Sequence, residues 1–129
     1  MDTIEKDKVR KQRGKRGEDL ACRYLQQNGY RIADRNFRCK IGEIDIVALG
    51  EDCVCFVEVK ARTRTDYGMP REAVDARKQW KLVRSAELWL KCHPFYADRY
   101  SPRMDIIEIL YQADGPYVRH TPNAFSLSS

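Results

Sequence analysis

Residues 42–60 read GEIDIVALGEDCVCFVEVK: two apolar runs, Glu43–Leu49 and Cys53–Lys60, joined across Gly50-Glu51-Asp52. Runs rich in Ile, Val and Phe that flank a Gly-containing polar step read as two strands and a turn. The unusual content is charge, because Glu43, Asp45, Glu58 and Lys60 interrupt otherwise apolar strands. Burying a charge costs several kcal/mol unless it is paired or coordinates a metal, so these positions need a reason. Side chains alternate along a strand, which puts Glu58 and Lys60 on one face of theirs and Glu43 and Asp45 on one face of the other.

Register decides whether the two sets meet. A three-residue turn that paired Leu49 with Cys53 would oppose Asp45 to Val57 and leave Asp45 and Glu58 on opposite faces. A turn of two or four residues, or a β-bulge, brings the two carboxylates together with an ammonium one step away. Such a set is a hard-cation site. Magnesium takes one or two carboxylates and keeps several waters, and Lys60 beside a metal-bound water could help deliver it to phosphorus. The plain alternative, cross-strand ion pairs on a solvated sheet face, accounts better for an isolated Glu-x-Lys, and it is the combination with Asp45 and Glu18 that points to a site.

Working outward, Lys15 to Asn28 carries Leu20, Ala21, Tyr24 and Leu25 on one helical stripe, with Gly29 placed as a C-cap. Glu18 shares a line with Cys22 and Leu25, at the edge of the face that should be buried. Tyr30 to Arg38 reads as a first strand, making an antiparallel meander with the next two. Arg62 to Met69 reads as a polar loop. A helix is expected from Pro70 to about Cys92, ended by His93-Pro94, and a fourth strand over Arg103 to Tyr111. From Gln112 onward, Gly115-Pro116 and Thr121-Pro122 suggest a turn, a short extension and a loose end. Trp80 and Trp89 are expected in the helix packing, and His93 as a contact to the helix C-terminus.

With 129 residues, 43% of them hydrophobic and 33% charged, the chain fits one globular domain and no apolar run is long enough to span a bilayer. Residues 1–13 are expected to be a mobile basic arm, 14–125 one domain and 126–129 a loose tail. Five cysteines without a Cys-x-x-Cys pair argue against zinc, and Cys53 and Cys55 read as small buried thiols. With no secretory signal pattern, a cytoplasmic location is the default expectation. The net charge of +5 is unevenly spread: residues 1–16 hold seven basic and three acidic side chains, 60–103 eleven and five, but 17–59 only five against eight. A basic surface around an acidic centre suits a polyanion ligand and a cation site.

The stretch Gly14-Lys15-Arg16-Gly17-Glu18, the strand Gly42-Glu43-Ile44-Asp45, the run Phe56-Val57-Glu58-Val59-Lys60-Ala61-Arg62, the pair Lys78-Gln79 and the terminal Asn123-Ala124-Phe125 together resemble the YraN-like uncharacterised bacterial family. Their order is similar to that of the PD-(D/E)xK nuclease superfamily, although Ile44 stands where its name-giving proline would be. The resemblance implies a restriction-endonuclease-like α/β core, α-β-β-β-α-β, with a mixed central sheet flanked by helices. It further implies magnesium, or manganese, on Asp45 and Glu58, with Glu18 supporting the metal or its water, Lys60 acting on that water, and Gln79 lining the site from the long helix. The expected activity is metal-dependent cleavage of DNA, including branched or single-stranded intermediates, with Lys15, Arg16, Arg62, Arg64 and Lys78 on the phosphates and a homodimer where two strands are cut. The alternative is a nucleic-acid-binding module or partner subunit without catalysis.

Overall fold

A computed structural model describes residues 3–63 and 74–126. The elements run α1 (Thr3–Gln27), β1 (Arg31–Arg38), β2 (Glu43–Leu49), β3 (Cys53–Thr63), α2 (Ala76–Cys92), α3 (Pro94–Arg99), β4 (Ser101–Tyr111) and β5 (Tyr117–Phe125). The five strands form one mixed sheet in the order β1-β2-β3-β4-β5, antiparallel except where β4 lies parallel to β3. A parallel neighbour needs a crossover, which the segment containing α2 and α3 supplies.

The helices cover opposite faces. Ala21, Cys22 and Leu25 of α1 pack on Ile46, Ala48, Cys55, Val57, Ile107 and Ile109, while Leu82, Val83, Ala86 and Trp89 of α2 pack on Val47, Leu49, Val54, Phe56, Met104 and Ile106. The alternation of β2, β3 and β4 therefore feeds two apolar layers, as strands buried on both sides do. Trp89 is fully buried, and its indole N–H donates to Asp34 Oδ2 at 2.9 Å. His93 stacks on Trp89 and shares a 2.7 Å hydrogen bond with the Trp89 carbonyl at the end of α2, where the helix leaves carbonyls without helical partners.

Several expectations are corrected. α1 begins at Thr3, so the stretch expected to be a free arm is helical backbone continuous with the packed half of the helix. β3 continues through Thr63, which places Arg62 in the sheet and not in a loop. α2 begins at Ala76, where Asp75 accepts from the Lys78 amide at 2.8 Å as an N-cap; Pro70 lies outside the described residues. Pro94 both ends α2 and opens the short α3. Trp80 is 55% exposed and Cys53 only half-buried. The tail is a nine-residue strand, β5. Pro122 is tolerated because β5 is an edge strand and its ladder shifts register beside it, with Asn123 at φ 52.

β5 is held by charge as well as by its ladder. Asp105 of β4 is fully buried and accepts from Arg103 Nε and Nη2 at 2.9 Å and from the Asn123 amide at 3.0 Å, with His120 Nε2 at 2.7 Å. Burial alone would raise its pKa, but the hydrogen bonds from His120, Arg103 and Asn123 outweigh it and hold the carboxyl below the ordinary range. A depressed carboxylate stabilises the fold above its ordinary pKa and ceases to do so as pH falls through the lowered value. Asp105→Asn is expected to cost about 3–5 kcal/mol at pH 7, because it removes the buried charge that pairs with Arg103 and accepts from His120 and the Asn123 amide. Urea unfolding should show the deficit shrinking steadily below pH 4.

Candidate active site and family relationships

Four residues separate the last paired positions of β2 and β3: Leu49 pairs with Val54, and the Gly50 amide donates to the Cys53 carbonyl at 2.8 Å. The ladder runs from there to Ile46 opposite Val57. One step further in this register are Asp45 and Glu58, so the even-length connection puts both carboxylates on the same face. Beyond Val57 the two backbones part, and the side chain of Asp45 takes over the role of a ladder carbonyl: its Oδ2 accepts from the Val59 amide at 2.8 Å. Asp45 and Glu58 lie close enough for the charge of Asp45 to bear on Glu58.

Where the strands part, α1 passes close over the sheet. A methyl group at Gly17 would lie 3.5 Å from Ile109 Cγ1, and the next residue, Glu18, reaches the opening. A pocket of about 220 Å³ is lined by Gly14, Gly17 and Glu18 of α1, Asp45 of β2, and Glu58, Val59, Lys60 and Ala61 of β3. Four of the five residues expected to be catalytic therefore meet in one pocket. Gln79 does not line it: its Nε2 donates to the Val74 carbonyl at 2.8 Å, and it borders a separate hollow beside Trp80. From the same helix Lys78 reaches Glu58, with its Nζ 3.6 Å from Glu58 Oε1.

The remaining basic positions separate as well. Lys15 and Arg16 are exposed on α1, and Lys15 borders a second hollow that shares Glu18 with the first and adds Arg35, Arg38 and Glu43. Arg62 is turned inward onto Glu108 at 2.7 Å, and Arg64 lies outside the described residues. Asn36 carried no signal in the sequence. It sits at φ 54, and with its amide nitrogen facing the carboxylates it donates to Glu18 Oε1 at 2.8 Å and Glu43 Oε1 at 3.3 Å.

The acidic groups are strained electrostatically. Burial, then the charge of Asp45, pushes the Glu58 carboxyl up to about 7, against the smaller opposing pull of Lys78 and Lys60. Burial raises Asp45 too, although the Val59 amide opposes it, and burial followed by Asp45 raises Glu18. A divalent cation would relieve this repulsion, and carboxylate oxygens are the hard ligands that magnesium and manganese take. Among the described residues no three Asp, Glu, His or Cys side chains are gathered into a metal cage. Two carboxylates completed by waters are enough for magnesium, and this arrangement leaves Glu18 beside the pair and not inside a three-carboxylate shell.

The sign of the strain is testable without assigning a reaction. A carboxyl whose folded pKa is raised from 4.5 to about 7 favours the fold in its protonated form, so stability drains away as pH rises across that window. In EDTA, Glu58→Gln should be more stable than the parent at pH 8 by roughly 1–3 kcal/mol, with the gain vanishing toward pH 4.5. Urea unfolding at both pH values measures this.

Residues 17–109 match the family model described as Uncharacterised protein family UPF0102. A UPF0102 protein of Caldanaerobacter subterraneus subsp. tengcongensis is 44% identical over 115 residues, covering 87% of this chain and 93% of its own. Another from Geobacter metallireducens is 44% identical over 116 residues, covering 89% and 93%, and one from Syntrophotalea carbinolica is 42% identical over 114 residues, covering 88% and 91%. The matched region contains Glu18, Asp45, Glu58, Lys60 and Lys78, and with them the whole of the pocket's carboxylate set. The chain belongs to the UPF0102 family.

Proposed function

We propose that this protein is a metal-dependent phosphodiesterase acting on DNA, with a restriction-endonuclease-like core and a site of the PD-(D/E)xK kind. The observation that carries the reading is the convergence of Asp45 and Glu58 at the point where β2 leaves β3, with Lys60 and Glu18 lining the same pocket. The even-length connection that creates this convergence has no need to place charge there for the fold alone. Asp45 and Glu58 would hold magnesium or manganese, which when bound supplies Lewis-acid polarisation of a phosphate oxygen and lowers the pKa of a coordinated water.

The chain's own groups then have definite tasks. Lys60 orients the attacking water and places positive charge beside the phosphorus as the new P–O bond forms and the ester P–O bond breaks. Glu18, less acidic than usual, is suited to accept a proton from that water. Lys78 neutralises Glu58 while the site lacks a cation and is free to turn to a phosphate once a cation takes its place. Lys15 and Arg16, exposed on α1 between the pocket-lining Gly14 and Gly17, are available to the phosphates. One such site cuts one strand, and cleavage of both strands would take a second copy of the chain.

A second reading, a nucleic-acid-binding module or partner subunit without catalysis, is favoured by the Lys78–Glu58 pair, which sets positive charge beside Glu58 without a metal ion. The two separate in one experiment with single-stranded, duplex and branched DNA. The nuclease reading expects cleavage with magnesium or manganese that falls at least about 100-fold in Asp45→Asn and in Lys60→Met, with DNA affinity retained. Binding without cleavage by the parent protein, unchanged in Asp45→Asn, selects the module.

A further inference from the structure

Beyond the pocket, the same sheet face carries a second charged cluster. Glu108 of β4 is fully buried and holds two guanidinium groups: Arg62 Nη1 donates to its Oε2 at 2.7 Å, and Arg119 Nε and Nη2 donate to Oε1 and Oε2 at 2.9 Å. One carboxylate needs one cation, so the cluster carries a surplus positive charge. Burial raises the Glu108 carboxyl, but the hydrogen bonds from Arg119 and Arg62 outweigh this and keep it ionised. The surplus falls on the outer member, since the Arg62 side chain is 13% exposed and that of Arg119 is 40% exposed.

The geometry then fixes what Arg119 can offer. It meets Glu108 through its Nε and Nη2 edge, so Nη1 and the second Nη2 hydrogen are directed away from that carboxylate. The ladder pairs Lys60 with Glu108 and Glu108 with Arg119, placing all three on one rung across β3, β4 and β5. At about 4.8 Å between strands, the Arg119 backbone lies roughly 10 Å from that of Lys60. The other buried carboxylate paired with a guanidinium, Asp105, offers no equivalent, because Arg103 spends a further donor on the Tyr30 hydroxyl.

We infer that Arg119, held rigid by Glu108 and Arg62, is a phosphate-binding residue for a backbone phosphate of the nucleic acid neighbouring the one that meets Lys60. The inference rests on the proposed reading of the pocket for its ligand class. A guanidinium already fixed in place loses little further freedom on gripping a phosphate through two N–H groups, which an untethered surface Arg must lose in full. Arg62 is by the same argument a supporting residue, acting through Glu108.

The test reads affinity in EDTA, where no cleavage occurs, using short fluorescein-labelled duplex and single-stranded DNA over a range of salt. Arg119→Gln should reduce the slope of log affinity against log salt by about 0.9 for duplex or about 0.7 for single strands, the loss of one phosphate contact. Arg119→Lys should keep most of the slope, and Arg99→Gln on α3 should leave it unchanged. Should Arg119→Gln alone fail to fold, the double variant Glu108→Gln/Arg119→Gln, which removes the buried charge together with its partner, carries the same expectation. An unchanged slope in a folded variant overturns the inference and reduces Arg119 to a partner for Glu108, as does a parent protein that binds neither DNA. A lowered slope in a protein that cleaves nothing would sink the nuclease reading while leaving the phosphate contact standing. Cleavage with an unchanged slope would do the reverse.

Discussion

The hydrogen bond from the Val59 amide to Asp45 Oδ2 governs how the rest of the pocket is built. Two paired strands normally satisfy each other's backbone groups, and pulling them apart inside a fold strands a donor at a cost of about 1–3 kcal/mol. Here a side chain supplies the missing acceptor, so β2 can leave β3 without an orphaned amide. The separation opens the sheet beneath α1, and Glu18 occupies the opening next to Gly17. The same contact fixes one oxygen of Asp45, which orients the other, and it restrains the carboxylate against the repulsion of Glu58. A single bond thus joins the integrity of the sheet to the chemistry of the pocket.

Among the described residues three carboxylates are buried in strands, and their surroundings differ in kind. Asp105 is surrounded by Arg103, His120 and a backbone amide, and Glu108 by two guanidiniums, and both are held more acidic than usual. Glu58 has as its neighbours another carboxylate and two lysines that do not compensate for burial, and it is held less acidic than usual. The first two resemble structural pins, each satisfied within the protein. The third is left with an unmet demand for positive charge, and this contrast within one sheet distinguishes the pocket from ordinary buried ion pairs more clearly than the presence of a Glu-x-Lys pattern does.

Much of this was legible in the sequence, for reasons that can be named. β2 and β3 are strongly patterned, and the requirement that Asp45 and Glu58 share a face reduced to a question of parity that the Leu49–Val54 pairing answers. Glu18 could be placed from helical periodicity because its stripe is short and clearly apolar. Gln79 could not: its place was implied by the resemblance alone, and the structure turns its side-chain amide onto the Val74 carbonyl. Arg62 was misread because its partner, Glu108, is 46 residues away in sequence and meets it only through the parallel pairing of β3 and β4. β5 was hidden because its burial is shallow and a proline interrupts it, so neither alternation nor propensity marks it. The continuous α1 was missed because the charged residues before Gly14 lack an apolar stripe, whereas helical backbone needs none where it extends an already nucleated helix.

The four-residue spacing between Leu49 and Val54 also bears on how this family can change in length. Because a strand presents alternate residues to alternate faces, adding or removing one residue between Leu49 and Val54 would invert every side chain of one strand relative to the other. Cys55 and Val57 of β3 would trade the α1 layer for the α2 layer and Val54 and Phe56 the reverse, and Glu58 would leave the face that Asp45 occupies. Both layers are apolar, so the core could absorb such a change with moderate loss while the pocket would be abolished outright. Selection for a working pocket would therefore act on this loop as a rule of even numbers, tolerating pairs of inserted residues and rejecting single ones, whichever amino acids they are.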